Sequence, residues 1–164
     1  MTKLARQSLS RVSGNSKSVE VFRDLGFGSL AIGNNEKSLF LEEINKVCTT
    51  SAQCNGDNNI ANIEEALNSE KRILLAIYPP MVKPINHFGV SQEELSLIDR
   101  LSEDKDVILY LFGNPYFLNL LSLEDYSSVW AVYQDFREFE QNAAKHFLGE
   151  VDALGKLPIT IEKN

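Results

Sequence analysis

The chain has 164 residues, 43% of them hydrophobic and 24% charged, which suits one globular domain with a sizeable core. A formal net charge of −7 argues against a general phosphate-backbone binder, so no nucleic-acid partner is expected. No apolar run approaches the roughly 20 residues of a membrane helix, so no membrane partner is expected either.

The opening M-T-K-L-A-R-Q-S-L-S-R carries positive charge without the apolar core of a signal peptide. As written, the chain is expected to stay where it is made. That expectation weakens if the chain is a piece of a larger, secreted or periplasmic protein.

Residues 2–12 have Leu4, Gln7, Ser8 and Arg11 at helical spacing and predict a short helix, broken by Ser13-Gly14-Asn15-Ser16. Val19–Phe22 reads as a short edge strand. Gly28–Gly33 is the first core strand. A helix follows from Lys37 to Val47, with Phe40, Ile44, Val47 and Cys48 on one apolar face. Thr49–Cys54 begins with β-branched residues and predicts a strand, ended by the turn cluster Asn55-Gly56-Asp57-Asn58. Ile60, Ile63 and Leu67 mark a short helix.

Arg72–Tyr78 is the third core strand, stopped by Pro79-Pro80, with a loop over 81–90. Ser91 and Glu94 form a capping box ahead of a helix on Leu95, Ile98 and Leu101. Val107–Phe112, V-I-L-Y-L-F, is a fully buried central strand ending in a tight turn at Gly113-Asn114-Pro115. A short helix over 115–122 and a fifth strand at Ser128–Tyr133 follow. Asp135 reads as the N-cap, with Glu138 three residues on, of a helix presenting Phe136, Phe139, Ala143 and Phe147 and closed by Gly149. Leu157–Ile161 is a final short strand.

Continuous apolar strands alternating with helices call for an α/β fold. The expected form is a three-layer αβα sandwich with a mostly parallel, doubly wound sheet of about five or six strands. One such domain spans residues 1–164. Ligands and partners meet such a sheet at the carboxyl ends of its strands.

Residue chemistry alone offers little catalysis. If 49–54 is a strand, Cys48 and Cys54 lie about 20 Å apart, beyond disulfide reach, and they lack C-x-x-C spacing. Gly26, Gly28 and Gly33 have the wrong spacing for a dinucleotide loop, and the first two precede the strand. P-loop and G-x-S-x-G motifs are absent.

His87 lies in a loop beyond the third core strand and reads as a surface residue. His146, in K-H-F-L-G, belongs to an amphipathic helix; the proline and second histidine of the K-H-F-P-G-H-G catalytic loop of some glycosidases are missing. The carboxylates Asp135, Glu138 and Glu140 offer acid and base groups, but Asp135 and Glu138 are explained by helix capping. No self-sufficient active site, metal or cofactor emerges.

Four motifs carry a family resemblance. They are Phe112-Gly113-Asn114-Pro115-Tyr116, Tyr133-Gln134-Asp135, Phe147-Leu148-Gly149 and Gly155-Lys156-Leu157-Pro158-Ile159-Thr160. In this order and spacing the chain resembles the C-terminal α/β sandwich domain of glycoside hydrolase family 3, in the β-N-acetylglucosaminidase-like branch. There the corresponding segments read F-G-N-P-Y, Y-x-D, L-F-G and G-K-L-P-V-T. Ala5–Val12 is similar to the family's helix-to-strand opening but lacks its Lys-Asn pair.

The resemblance implies an enzyme that hydrolyses β-glycosides with retention. Its aspartate nucleophile, and in this branch its acid/base histidine, sit on a preceding (β/α)8 barrel. None of those residues matches a position here, so the chain is expected to be inactive alone. The implied partner is the catalytic barrel, with carbohydrate nearby and no cofactor. The substrate- or barrel-facing candidates are Asn34, Gly113, Asn114, Tyr116, Tyr133 and Asp135. An alternative is a free-standing flavodoxin-like ligand-binding or interaction module using the same edge. A third reading is an autonomous hydrolase built on Asp135 and Glu138.

Overall fold

A computed structural model describes residues 9–33, 38–54, 59–132 and 137–151. Its strands are β1 (Leu9–Gly14), β2 (Gly28–Gly33), β3 (Thr50–Cys54), β4 (Arg72–Tyr78), β5 (Asp106–Phe112) and β6 (Ser128–Val132). They form one sheet in the order β1-β6-β5-β4-β2-β3. All neighbours are parallel except β1 and β6. The helices are α1 (Ser18–Leu25), α2 (Leu39–Ile44), α3 (Ile60–Leu67), α4 (Gln92–Asp104) and α5 (Arg137–Phe147).

The apolar runs are continuous because both faces of the sheet are covered. Leu30, Ile32, Ile73, Leu75, Ile77, Val107, Leu109 and Leu111 pack against Ile63 and Leu67 of α3 and Leu97, Ile98 and Leu101 of α4. The alternate residues, Ala31, Leu74, Ala76, Tyr78, Ile108, Tyr110 and Phe112, face the other layer. They meet Val19 and Phe22 of α1, Phe40, Leu41 and Ile44 of α2, and Ala143, Ala144 and Phe147 of α5. Each buried leucine, isoleucine or phenylalanine contributes about 1.5–3 kcal/mol of transfer free energy. The result is a doubly wound αβα sandwich. The helix after β2 covers one face and the helix after β4 the other, so the winding reverses between these two strands.

Helix ends follow their local chemistry. At α4 the Ser91 hydroxyl accepts the Glu94 N–H, and the Glu94 carboxylate accepts the Ser91 N–H, both at 3.1 Å. At the end of α5 the Gly149 N–H donates to the His146 carbonyl and the Glu150 N–H to that of Lys145, with Gly149 at φ +82°. That pair of bonds is the Schellman arrangement, which favours glycine at the left-handed position.

Three expectations need correction. Residues 9–12 are strand, not helix: β1 pairs antiparallel with β6, Leu9 opposite Val132, and the ladder outweighs a helical pattern with little apolar content. Val19–Phe22 is not an edge strand but part of α1. Val19 and Phe22, three apart, bury together while Val21 between them is exposed. Finally, α2 stops at Ile44, leaving Val47 exposed and Cys48 only half-buried.

The segment after β5 is a 3-10 helix at Pro115–Leu120, and the 81–90 loop closes on a 3-10 turn at His87–Gly89. Both cysteines are free. The expected Asp135 cap and the final strand at Leu157–Ile161 lie outside the described residues.

Candidate functional site

The carboxyl ends of the parallel strands bring Gly33, Tyr78, Phe112 and Val132 to one edge of the sheet. Gly33 ends β2 directly beside Tyr78 at the end of β4, where the winding reverses. It has φ +94°, and a β-carbon there would lie 1.9 Å from the Tyr78 carbonyl oxygen. Only glycine permits this approach. Of the residues singled out from sequence, Gly113, Asn114 and Tyr116 lie together at this edge. Asn34, Tyr133 and Asp135 lie outside the described residues.

Asn114 faces its own fold. Its side-chain oxygen accepts the Tyr116 N–H at 3.0 Å, capping the 3-10 helix, and its side-chain amide donates to the Val82 carbonyl at 3.1 Å. It therefore ties the turn after β5 to the loop after β4. A side chain at Gly113 would press on the Pro79 ring at 3.3 Å, so the two strand exits are in close contact. Tyr116 is half exposed, whereas the next residue, Phe117, is buried against Phe88.

The loop after β4 has an unusual backbone. Asn86, His87 and Phe88 are consecutive non-glycine residues with φ of 53°, 53° and 58°. Each left-handed residue costs about 1–2 kcal/mol. The turn is held by Gly89 N–H to Asn86 O, Val90 N–H to His87 O and Met81 N–H to Phe88 O, each within 3.1 Å. Burial of Phe88 locks it from beneath. His87 is exposed, as its loop position suggested.

Below this edge lies a polar cluster that the sequence reading missed. The Ser38 hydroxyl, which caps α2 by accepting the Leu41 N–H, donates to Glu140 Oε1 at 2.6 Å and contacts the Tyr78 hydroxyl. The Tyr78 hydroxyl lies 3.4 Å from the same carboxylate oxygen. Glu140 is 6% exposed, and Tyr78 stacks on Phe112 with ring centroids 4.6 Å apart. The cluster thus joins β4, α2 and α5.

A sequence signal for Glu140 did exist. It falls seven residues before Phe147 and three before Ala143, on the buried stripe of α5, where a carboxylate needs partners. Glu138, by contrast, is exposed. Hydrolysis by a carboxylate pair requires two such groups flanking one sugar bond. Glu140 is instead occupied by hydroxyls within the fold.

His146 belongs to the opposite part of α5, where Nδ1 meets the Tyr110 hydroxyl at 2.8 Å and the ring lies 4.1 Å from that of Trp130. Burial raises the Tyr110 phenol well above its ordinary range. At the amino edge, Glu64, Asn68, Arg100, Glu103, Asp104 and Lys105 line a shallow depression. Its two cations are engaged within the fold: Arg100 pairs with Glu64, and Lys105 donates to the Asn68 and Glu70 carbonyls. Among the described residues no group of three or more His, Cys, Asp or Glu is arranged for a metal, and no helix is long and apolar enough to cross a membrane.

Solved structures share this architecture over nearly the whole chain. A family 3 β-N-acetylglucosaminidase from a Paenibacillus species matches with TM-score 0.66 and 15% identity, over 95% of this chain and 31% of that one. The fungal multi-domain family 3 β-N-acetylglucosaminidase with a glucosamine N-acetyltransferase region matches with TM-score 0.73 and 12% identity, over 97% and 18%. The fold is one that family 3 glycoside hydrolases contain. A β-glucosidase from Listeria innocua, in complex with isofagomine, matches with TM-score 0.68 and 13% identity, over 93% of this chain and 26% of that one.

The chain therefore spans less than a third of the length of these enzymes. No family model and no curated protein matches the sequence. The resemblance carried by the motifs is thus met at the level of fold. Of the four motifs, those at 112–116 and 147–149 lie within the described residues, one at the carboxyl edge and one at the end of α5.

Proposed function

We propose that this chain is the accessory C-terminal domain of a family 3 glycoside hydrolase, packing beside a catalytic (β/α)8 barrel and inactive alone. The observation that carries this reading is one of proportion. The chain matches two family 3 β-N-acetylglucosaminidases over at least 95% of its own length and at most 31% of theirs. The F-G-N-P-Y turn on the central strand adds a local signature to the shared architecture.

The enzyme to which it belongs would remove terminal β-linked N-acetylglucosamine or a related sugar. The barrel would supply nucleophile and acid/base, and this domain would support and shape the sugar cleft. Its barrel-facing residues are proposed to be Gly113, Asn114 and Tyr116 at the carboxyl edge, together with Asn34, Tyr133 and Asp135 on the strength of the sequence alone. Asn114 would act by positioning the two strand exits, and Tyr116 by direct contact.

Activity recovered with the native protein tests the reading. An antibody against this chain should precipitate β-N-acetylhexosaminidase or β-glucosidase activity from the source cells, while the purified 164-residue chain has none. Precipitation of the native protein without either activity would count against it.

A further inference from the structure

The described residues leave eight large hydrophobic side chains exposed, and five of them lie on two segments at the carboxyl edge. Met81, Val82 and Ile85 lie in the loop after β4, with Val82 80% and Ile85 58% exposed; Tyr116 and Leu120 lie on the 3-10 helix after β5. Asn114 bonds both segments, and the Phe88–Phe117 contact joins them beneath. The left-handed turn at Asn86–Phe88 fixes the loop that carries Val82 and Ile85. Strain held in place by surrounding bonds, under apolar side chains turned to solvent, is a pattern of preformed contact surfaces.

We propose that Met81, Val82 and Ile85, with Tyr116 beside them, form a preformed apolar ridge that seats on the catalytic barrel. The inference rests on the accessory-domain reading above and adds a contact element absent from the sequence candidates. Topology favours a preceding domain as the occupant. Leu9 opens β1 opposite Val132, the last residue of β6, so chain arriving from upstream reaches the sheet at its carboxyl edge. β1 is three strands from β4, about 15 Å at the usual strand spacing. A domain joined there lies within reach of the ridge.

Photo-crosslinking in the native protein decides it. p-Benzoylphenylalanine is placed at Val82, at Ile85 or, as a control, at the exposed Val47 shortly before β3. After irradiation in the source cells, the linked peptides are sequenced. Positions 82 and 85 should link to barrel peptides at least tenfold more than position 47. Barrel peptides from 47 but not from 82 or 85 would overturn the ridge and leave the accessory-domain reading standing. Links only to a second copy of this chain, or no barrel peptides from any position, would overturn both.

Discussion

A β-carbon on Gly33 would sit 1.9 Å from the carbonyl oxygen of Tyr78, so β2 and β4 meet at their carboxyl ends with no room for a side chain. Gly33 also has φ +94°, a region that L side chains rarely adopt. Gly33→Ala combines backbone strain with overpacking and should cost about 3 kcal/mol or more. A urea titration checks this; an unchanged midpoint would mean that the two strand ends separate easily.

Asn114 and Tyr116 should behave differently although they are two residues apart. Asn114→Ala removes a helix cap and the tether to Val82, and should cost about 0.5–2 kcal/mol while exposing the 81–90 loop to protease. Tyr116→Ala removes a half-exposed ring and should change stability by only about 0.5 kcal/mol. If the carboxyl edge docks on a barrel, both changes weaken that association. Loss of stability in Tyr116→Ala comparable to that in Asn114→Ala would assign the ring a role in the fold.

Glu140 should respond to truncation more than to neutralisation. Glu140→Ala leaves the Ser38 and Tyr78 hydroxyls without their shared acceptor and should cost about 1–3 kcal/mol. Glu140→Gln keeps an acceptor oxygen and should cost less. Chemical denaturation of the pair gives the ordering, and equal losses would show that the charge itself holds the cluster.

Two of the buried phenols, Tyr110 and Tyr126, should weaken the fold at alkaline pH. Burial raises Tyr110 and Tyr126 above the ordinary tyrosine value of 10.0. The folded state therefore keeps protons that the unfolded state releases, and these two groups make stability fall as pH rises above about 10. In a spectrophotometric titration Tyr110 and Tyr126 should ionise only as the protein unfolds. Tyr110→Phe should reduce that alkaline loss while also removing the bond to His146. Smooth ionisation of every tyrosine in the folded protein would contradict the buried placement.

The sheet was legible because β2, β4 and β5 are apolar on both faces, a composition that suits only a covered sheet. The Ser91–Glu94 box and the glycine after α5 were legible because capping depends on residues a few positions apart. β1 and α1 were not: their apolar residues are few, and Leu9–Gly14 becomes a strand only because β6 supplies its ladder.

The site divides the same way. Gly113, Asn114 and Tyr116 stood out as a turn after a strand. The bond from Asn114 to Val82, 32 residues away, and the meeting of Ser38, Tyr78 and Glu140 are tertiary facts. The left-handed turn at Asn86–Phe88 had no glycine or proline among those three residues to announce it.

Membership of this sandwich in a larger hydrolase, as proposed, is open to a simple check, the mass of the native polypeptide. An antibody against the chain, applied to a source-cell lysate, should reveal a band far above 18.4 kDa, large enough to add a barrel. A band at 18.4 kDa would rule out a larger parent and make the carboxyl edge the ligand or partner site of a free-standing module.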